Sequence, residues 1–137
     1  MGRKAVKITA DTNLLVRAIV LDDVRQTEAA EHELDKAALV ALTLPALCEF
    51  GWVLSSNYRL APADIATSIR KLLEASNVAA DHIAINAGLQ MLDAGGDFAD
   101  GVIAAAGKSL GAEAFVSFDK KAVRLLRANG EAARPPK

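Results

Sequence analysis

Apolar and polar positions along the chain change period at short intervals, and each change marks an element. Ala5-Val6-Lys7-Ile8-Thr9-Ala10 reads as a short first strand. It ends on Asp11-Thr12-Asn13, three residues suited to capping, and Leu14 to Val20 continues as an apolar helix. Residues 22 to 38 carry only a thin apolar stripe at Val24, Leu34 and Ala38, which predicts a solvated outer helix. The continuous apolar run Leu39 to Leu44 predicts a buried strand, and Pro45 opens a helix running from Ala46 to about Tyr58. Pro62-Ala63-Asp64 starts another helix, with Ile65, Ile69, Leu72 and Leu73 forming its apolar stripe. Residues 77–81 read as a short third strand, and Asp81 caps a helix to about Ala94 with Ile85, Leu89 and Leu92 inward. Gly95-Gly96 breaks it, and Asp97 opens an Ala-rich helix ending near Gly111. Residues 114–118 predict a fourth strand ending on Asp119, Lys120 to Asn129 a last helix, and residues 131–137 a short strand or tail.

Strands and helices alternate, so the expected class is α/β: a three-layer α/β/α arrangement around a central, mainly parallel sheet of four to five strands. Right-handed crossovers then bring the carboxyl ends of successive strands to one edge, where open α/β sheets bind ligands.

At 137 residues and 52% hydrophobic composition, the chain suits a single domain, 1–137, with one core. Met1 to Lys4 reads as a loose basic leader, with no apolar segment resembling a signal peptide or membrane span. One cysteine excludes an internal disulfide and points to a reducing, cytoplasmic compartment. A net charge of −1 argues against nucleic-acid binding through bulk positive charge. The charge is uneven: residues 22 to 36 hold six acids against two bases, whereas residues 119 to 137 hold two acids against six bases. The C-terminal end is therefore the better candidate for a polyanion.

The candidate chemistry lies in acids at helix starts and strand ends. Asp97 and Asp100 lie three apart on one side of a first turn, either as a capping box or as a functional pair. Asp11 at the end of the first strand is a cap or a ligand. Glu49 stands in a nearly all-apolar helix, where a carboxylate is expected to be paired with an arginine, protonated or bound to a cation. Cys48 beside it reads as core packing. With Asp119 at a later strand end, five acids can converge, and crowded carboxylates require a cation to remain ionised. Oxygen-only donors select Mg2+ or Mn2+ over zinc, for which the chain has no Cys/His spacing. An ion so held can polarise a phosphate oxygen and acidify a water.

Asp11-Thr12-Asn13 after a first strand, Glu49 in an apolar helix, Asp97-Phe98-Ala99-Asp100 followed by Ile103-Ala104-Ala105, and Ser117-Phe118-Asp119 near the end together resemble the PIN-domain ribonucleases, over essentially the whole chain. Within that family the chain looks most like VapC-type toxins of bacterial toxin-antitoxin pairs. The resemblance implies Asp11 and Asp100 as principal metal ligands, Glu49 and Asp119 completing the acidic cluster, and Asp97 supporting its rim. Asn13 and Ser117 would orient carboxylates or water. Ser117 stands where the family often has Thr, which keeps the hydroxyl. The resemblance further implies RNA cleavage with Mg2+ or Mn2+, homodimerisation and inhibition by a cognate antitoxin. The expected reaction is phosphodiester hydrolysis, with an ion at Asp11 and Asp100 and Glu49 orienting or deprotonating the water. Lys120, Lys121, Arg124 and Arg127 are candidates for the RNA backbone or form a solvated helix face.

Two other readings remain open on sequence grounds. A non-catalytic module would keep the fold and lose metal binding. A Mg2+-dependent phosphoacceptor receiver would want an acidic pair after the first strand, which Asp11-Thr12-Asn13 lacks.

Overall fold

The strands are only two to four residues long, so the sheet acts as a short spine on which the helices are hung. The computed structural model describes residues 5–137; the leader expected over Met1 to Lys4 lies outside the described residues. Strand β1 (Lys7–Thr9), β2 (Leu39–Leu42) and β3 (Val78–Ala80) pair in parallel in the order β1-β2-β3, with Ile8 opposite Val40 and Val40 opposite Val78. Strand β4 (Phe115–Val116) and β5 (Ala133–Arg134) form a separate parallel pair, Phe115 opposite Ala133.

The expected sheet of four to five strands is therefore corrected to a three-stranded sheet beside a two-stranded one. The reason is length. After Val116 the backbone turns at once into the Ser117 to Asp119 cap, leaving β4 two residues with which to ladder, and β5 takes them. The parallel sense, required by the alternation of elements, is seen in every strand pair.

Seven helices occupy the described residues: α1 (Thr12–Ile19), α2 (Val24–Lys36), α3 (Leu44–Ser56), α4 (Pro62–Leu73), α5 (His82–Asp93), α6 (Phe98–Ser109) and α7 (Lys120–Ala128). Five of them, α2, α3, α5, α6 and α7, start at a capping side chain. Asp23 accepts from the Gln26 N–H at 3.1 Å, Thr43 from Ala46 at 3.3 Å and Asp81 from Ala84 at 3.1 Å. The Thr43 cap ends β2 two residues earlier than the apolar run implied and starts α3 at Leu44, with Pro45 second in the helix.

Helix α5 stops in a Schellman turn. Gly95 takes φ +86°, its N–H donates to Leu92 O at 2.9 Å, and the Gly96 N–H donates to Met91 O at 2.7 Å. That turn sends the chain back so that α6 runs against α5. The two helices meet almost backbone to backbone: a Cβ on Gly88 would stand 2.6 Å from the Phe98 ring, and one on Gly101 2.7 Å from the Ala87 carbonyl carbon. Only glycine fits either position.

Apolar burial divides into two clusters. The larger gathers Leu15, Val40, Leu47, Phe50, Ile69, Ile85 and Phe98 between the three-stranded sheet and α1, α3, α4, α5 and α6. The smaller joins Met91 to Val123, Leu126 and Ala133 under the β4–β5 pair. Each fully buried side chain of this kind is worth about 1.5–3 kcal/mol. The exposed pairs Arg17–Asp22 and Arg70–Asp93 are worth no more than about 1 kcal/mol each, so packing rather than ion pairing holds the fold. Among the described residues no helix is long and apolar enough to cross a membrane.

Candidate active site

The Schellman turn delivers Asp97 to the start of α6, where its carboxylate accepts weakly from the Ala99 N–H at 3.4 Å. Asp100 occupies the third helical position. A capping box would require it to reach back to the Asp97 N–H, and among the described residues it makes no hydrogen bond of that kind. Capping therefore accounts for Asp97 and leaves Asp100 unexplained.

Asp119 is placed by a similar device on the neighbouring helix. Its Oδ1 accepts from the Ala122 N–H at 3.0 Å and caps α7, while its own N–H donates to Ser117 Oγ at 3.0 Å. Ser117 thus fixes the turn through the Asp119 backbone, without touching the carboxylate. The amino-terminal ends of α6 and α7 carry Asp97 and Asp119 at the rim of one cleft, and positive helix ends favour negative charge there.

The cleft, about 320 Å³, opens along the seam between the two apolar clusters. Asp97, Asp100, Asp119 and Lys121 form its polar part, and Ile65, Met91, Phe98 and Leu125 line its apolar part. Gly51 and Ser55 of α3 face it as well, and no sequence pattern marks either of them. Asp100 is half-buried, and its carboxyl is pushed above the ordinary value first by burial, then by the charges of Asp97 and Asp119. Two carboxylates thus act on a third here.

Asp11 and Glu49 do not line this cleft. Asp11 sits at the carboxyl end of β1 as the backbone N-cap of α1, yet its exposed side chain makes no capping hydrogen bond. The capping role therefore does not explain it. The expectation of a buried Glu49 is corrected: it is exposed, together with Trp52, which is 63% accessible one turn along. Helix α3 buries Leu47, Phe50, Gly51 and Leu54 and turns its Glu49–Trp52 stripe to solvent, so an apolar run did not mean burial all round. A solvated carboxylate needs no partner. Asn13 is exposed and makes no side-chain hydrogen bond among the described residues. Lys120 and Arg124 are exposed, whereas Arg127 is committed to structure, its Nε donating to Ala133 O at 2.7 Å and tying α7 to β5. His32 and His82 are both exposed.

No three His, Cys, Asp or Glu side chains among the described residues stand close enough together to hold an ion. The donor chemistry nevertheless fits a hard divalent cation. Among the described residues the Asp100 carboxylate accepts no hydrogen bond, and Asp97 and Asp119 each use only Oδ1 as a cap, so carboxylate oxygens remain available to an ion. Cys48 does not compete: burial, and then the Asp97 charge, push its thiol up and away from the thiolate that soft metals require. The match to known families follows the same elements: the PIN domain family model matches residues 8–127. No curated protein matches the chain.

Proposed function

The chain belongs to the PIN-domain family, whose members are generally nucleases, and on that premise we propose that it is a metal-dependent endoribonuclease, the toxin component of a VapBC-type toxin-antitoxin pair. The reading includes a cognate antitoxin, a homodimer and a cytoplasmic setting. Membership of this family leaves the phosphoacceptor reading without support. The observation that carries the proposal is the convergence of Asp97, Asp100 and Asp119 on one cleft, with Asp100 destabilised in its charged form first by burial and then by its two neighbours. An acid held in that state is relieved by a cation.

In this reading Asp11 and Asp100 are the principal ligands of Mg2+ or Mn2+, with Glu49 and Asp119 completing the acidic cluster and Asp97 supporting its rim. The ion, when bound, supplies charge to a phosphate oxygen and a water of lowered pKa. The chain's own contribution is placement. The α6 and α7 amino-terminal ends draw a phosphate toward the carboxylates. Ser117 holds the Asp119 turn, and Glu49, on a solvated face, orients the attacking water or accepts its proton. Lys120, Lys121 and Arg124 attract the RNA backbone.

The test is cleavage of a labelled RNA pool by the purified protein with Mg2+, with Mn2+ and with EDTA, beside Asp100→Asn. Cutting with either ion, absent in EDTA and in the variant, is the expected result; equal cutting by wild type and variant would sink the assignment. One observation favours a second reading. Among the described residues the acids do not close into a ligating set, as in a non-catalytic module that retains the fold. Failure of the folded protein to bind Mn2+ would select it.

A further inference from the structure

The basic residues of α7 do not share one environment. Lys121 lines the acidic cleft, as do Ala122 and, one turn on, Leu125. Lys120, Arg124 and Arg127 recur at i, i+4 and i+7 on another face, and Arg127 there is bound to Ala133 O. Of the basic side chains in the described residues, Lys121 is the one that lines this cleft. It is exposed and, among the described residues, forms no ion pair with a carboxylate, Asp97, Asp100 and Asp119 included, so its charge is not spent on the acids beside it. Nor does it serve the helix. It stands in the first turn of α7, where the macrodipole is positive and a cation is slightly unfavourable.

We propose that Lys121 is the phosphate-holding residue of the cleft: its ammonium takes a non-bridging oxygen of the RNA strand and so keeps the backbone alongside Asp100 and Asp119, while Lys120 and Arg124 contribute only general attraction. The inference rests on the ribonuclease reading of the same cleft. A lysine suits the role because an ammonium is a compact point charge that follows a phosphate as the strand shifts. Lys121 is a positioning residue, and its effect belongs in binding.

The experiment uses a fluorescein-labelled, mixed-sequence single-stranded oligoribonucleotide. Binding is followed by anisotropy in EDTA over a series of salt concentrations, and the substrate dependence of single-turnover cleavage is measured in Mg2+. Lys121→Gln is expected to weaken binding about tenfold, as loss of one charge-assisted contact does. It should also reduce the slope of log affinity against log salt by about 0.7, the value for one phosphate on a single strand. Half-saturation for cleavage should rise in parallel with little change in the saturating rate, and Lys121→Arg should restore binding. Lys120→Gln and Arg124→Gln should each change affinity less than threefold. If the wild type cuts RNA but Lys121→Gln keeps the wild-type affinity and slope, or if Lys120→Gln and Arg124→Gln reduce both as much as Lys121→Gln does, the inference is wrong and the ribonuclease reading stands. A wild type that neither binds nor cuts RNA would overturn both.

Discussion

Gly101→Ala tests the part of the fold that places the acids. Gly101 follows Asp100 directly, and its missing side chain lets α6 lie against α5. The added Cβ would meet the Ala87 carbonyl group, with its carbon at 2.7 Å, and Gly88 Cα at 2.8 Å. These are backbone atoms, which cannot rotate aside, so the helices must separate. Overpacking of this kind costs about 3 kcal/mol, the upper part of the usual range. The greater helix propensity of alanine offsets about 1 kcal/mol. The net loss is about 2 kcal/mol, or a fall in Tm of about 6–10 °C for a chain of this size. Gly107→Ala on the same helix is the control: its Cβ would sit 3.8 Å from Ala112 Cβ, an ordinary contact, so it should gain about 0.5–1 kcal/mol. Urea unfolding followed by far-UV circular dichroism, in EDTA, reads both. Gly101→Ala equal to or more stable than wild type would refute the close-packing argument, and with it the account of how α6 is positioned.

Other outcomes follow from particular contacts. Because the folded state raises the Asp100 pKa above its ordinary 3.8, this group's stabilisation is present below that value and is lost as pH rises through the folded pKa. Asp100→Asn removes that loss, so in EDTA its Tm relative to wild type should climb from pH 4 to pH 7; a constant difference contradicts the raised pKa that burial and the neighbouring acids impose. Glu49→Gln, on a solvated face, should leave stability within about 0.5 kcal/mol while lowering the cleavage rate, and retention of the full rate would remove Glu49 from the reaction. Arg127→Ala should cost about 1–2 kcal/mol and speed amide exchange at Phe115, whose N–H donates to Ala132 O beside the tethered strand; unchanged exchange there would show that the tether is idle. Arg70→Ala should cost no more than about 1 kcal/mol despite two hydrogen bonds to Asp93, because the pair is exposed; a larger loss in thermal unfolding would contradict that weighting.

Local chemistry made much of this fold legible in advance. Asp81 and Asp97 read as caps and are caps, Gly95-Gly96 reads as a stop and forms a Schellman turn, and Asp119, expected only as a strand-end acid, also caps its helix. Strand extents were less legible, because a residue such as Leu44 is apolar in a strand or a helix alike, and the Thr43 hydroxyl decides between them. Sheet closure depended on what β4 can pair with, which no local pattern carries. For the site, the grouping of Asp97, Asp100 and Asp119 follows from helices that start beside one another. Glu49 departs from expectation because hydrophobicity along α3 does not imply burial all round the helix, and the exposure of Trp52 shows that one face is open. The distinction between Lys121 and its basic neighbours required the helix to be set against its cleft. Spacing alone allows either face to point inward.

The central claim is that the carboxylates at the ends of α6 and α7 hold a divalent ion. It is tested most directly by titrating Mn2+ into the purified protein and following free Mn2+ by electron paramagnetic resonance, for wild type, Asp100→Asn and Asp119→Asn, each confirmed folded. The account predicts Mn2+ binding by the wild type, weakened at least tenfold in both variants. Equal affinity in all three proteins, or no binding by the wild type, would contradict it.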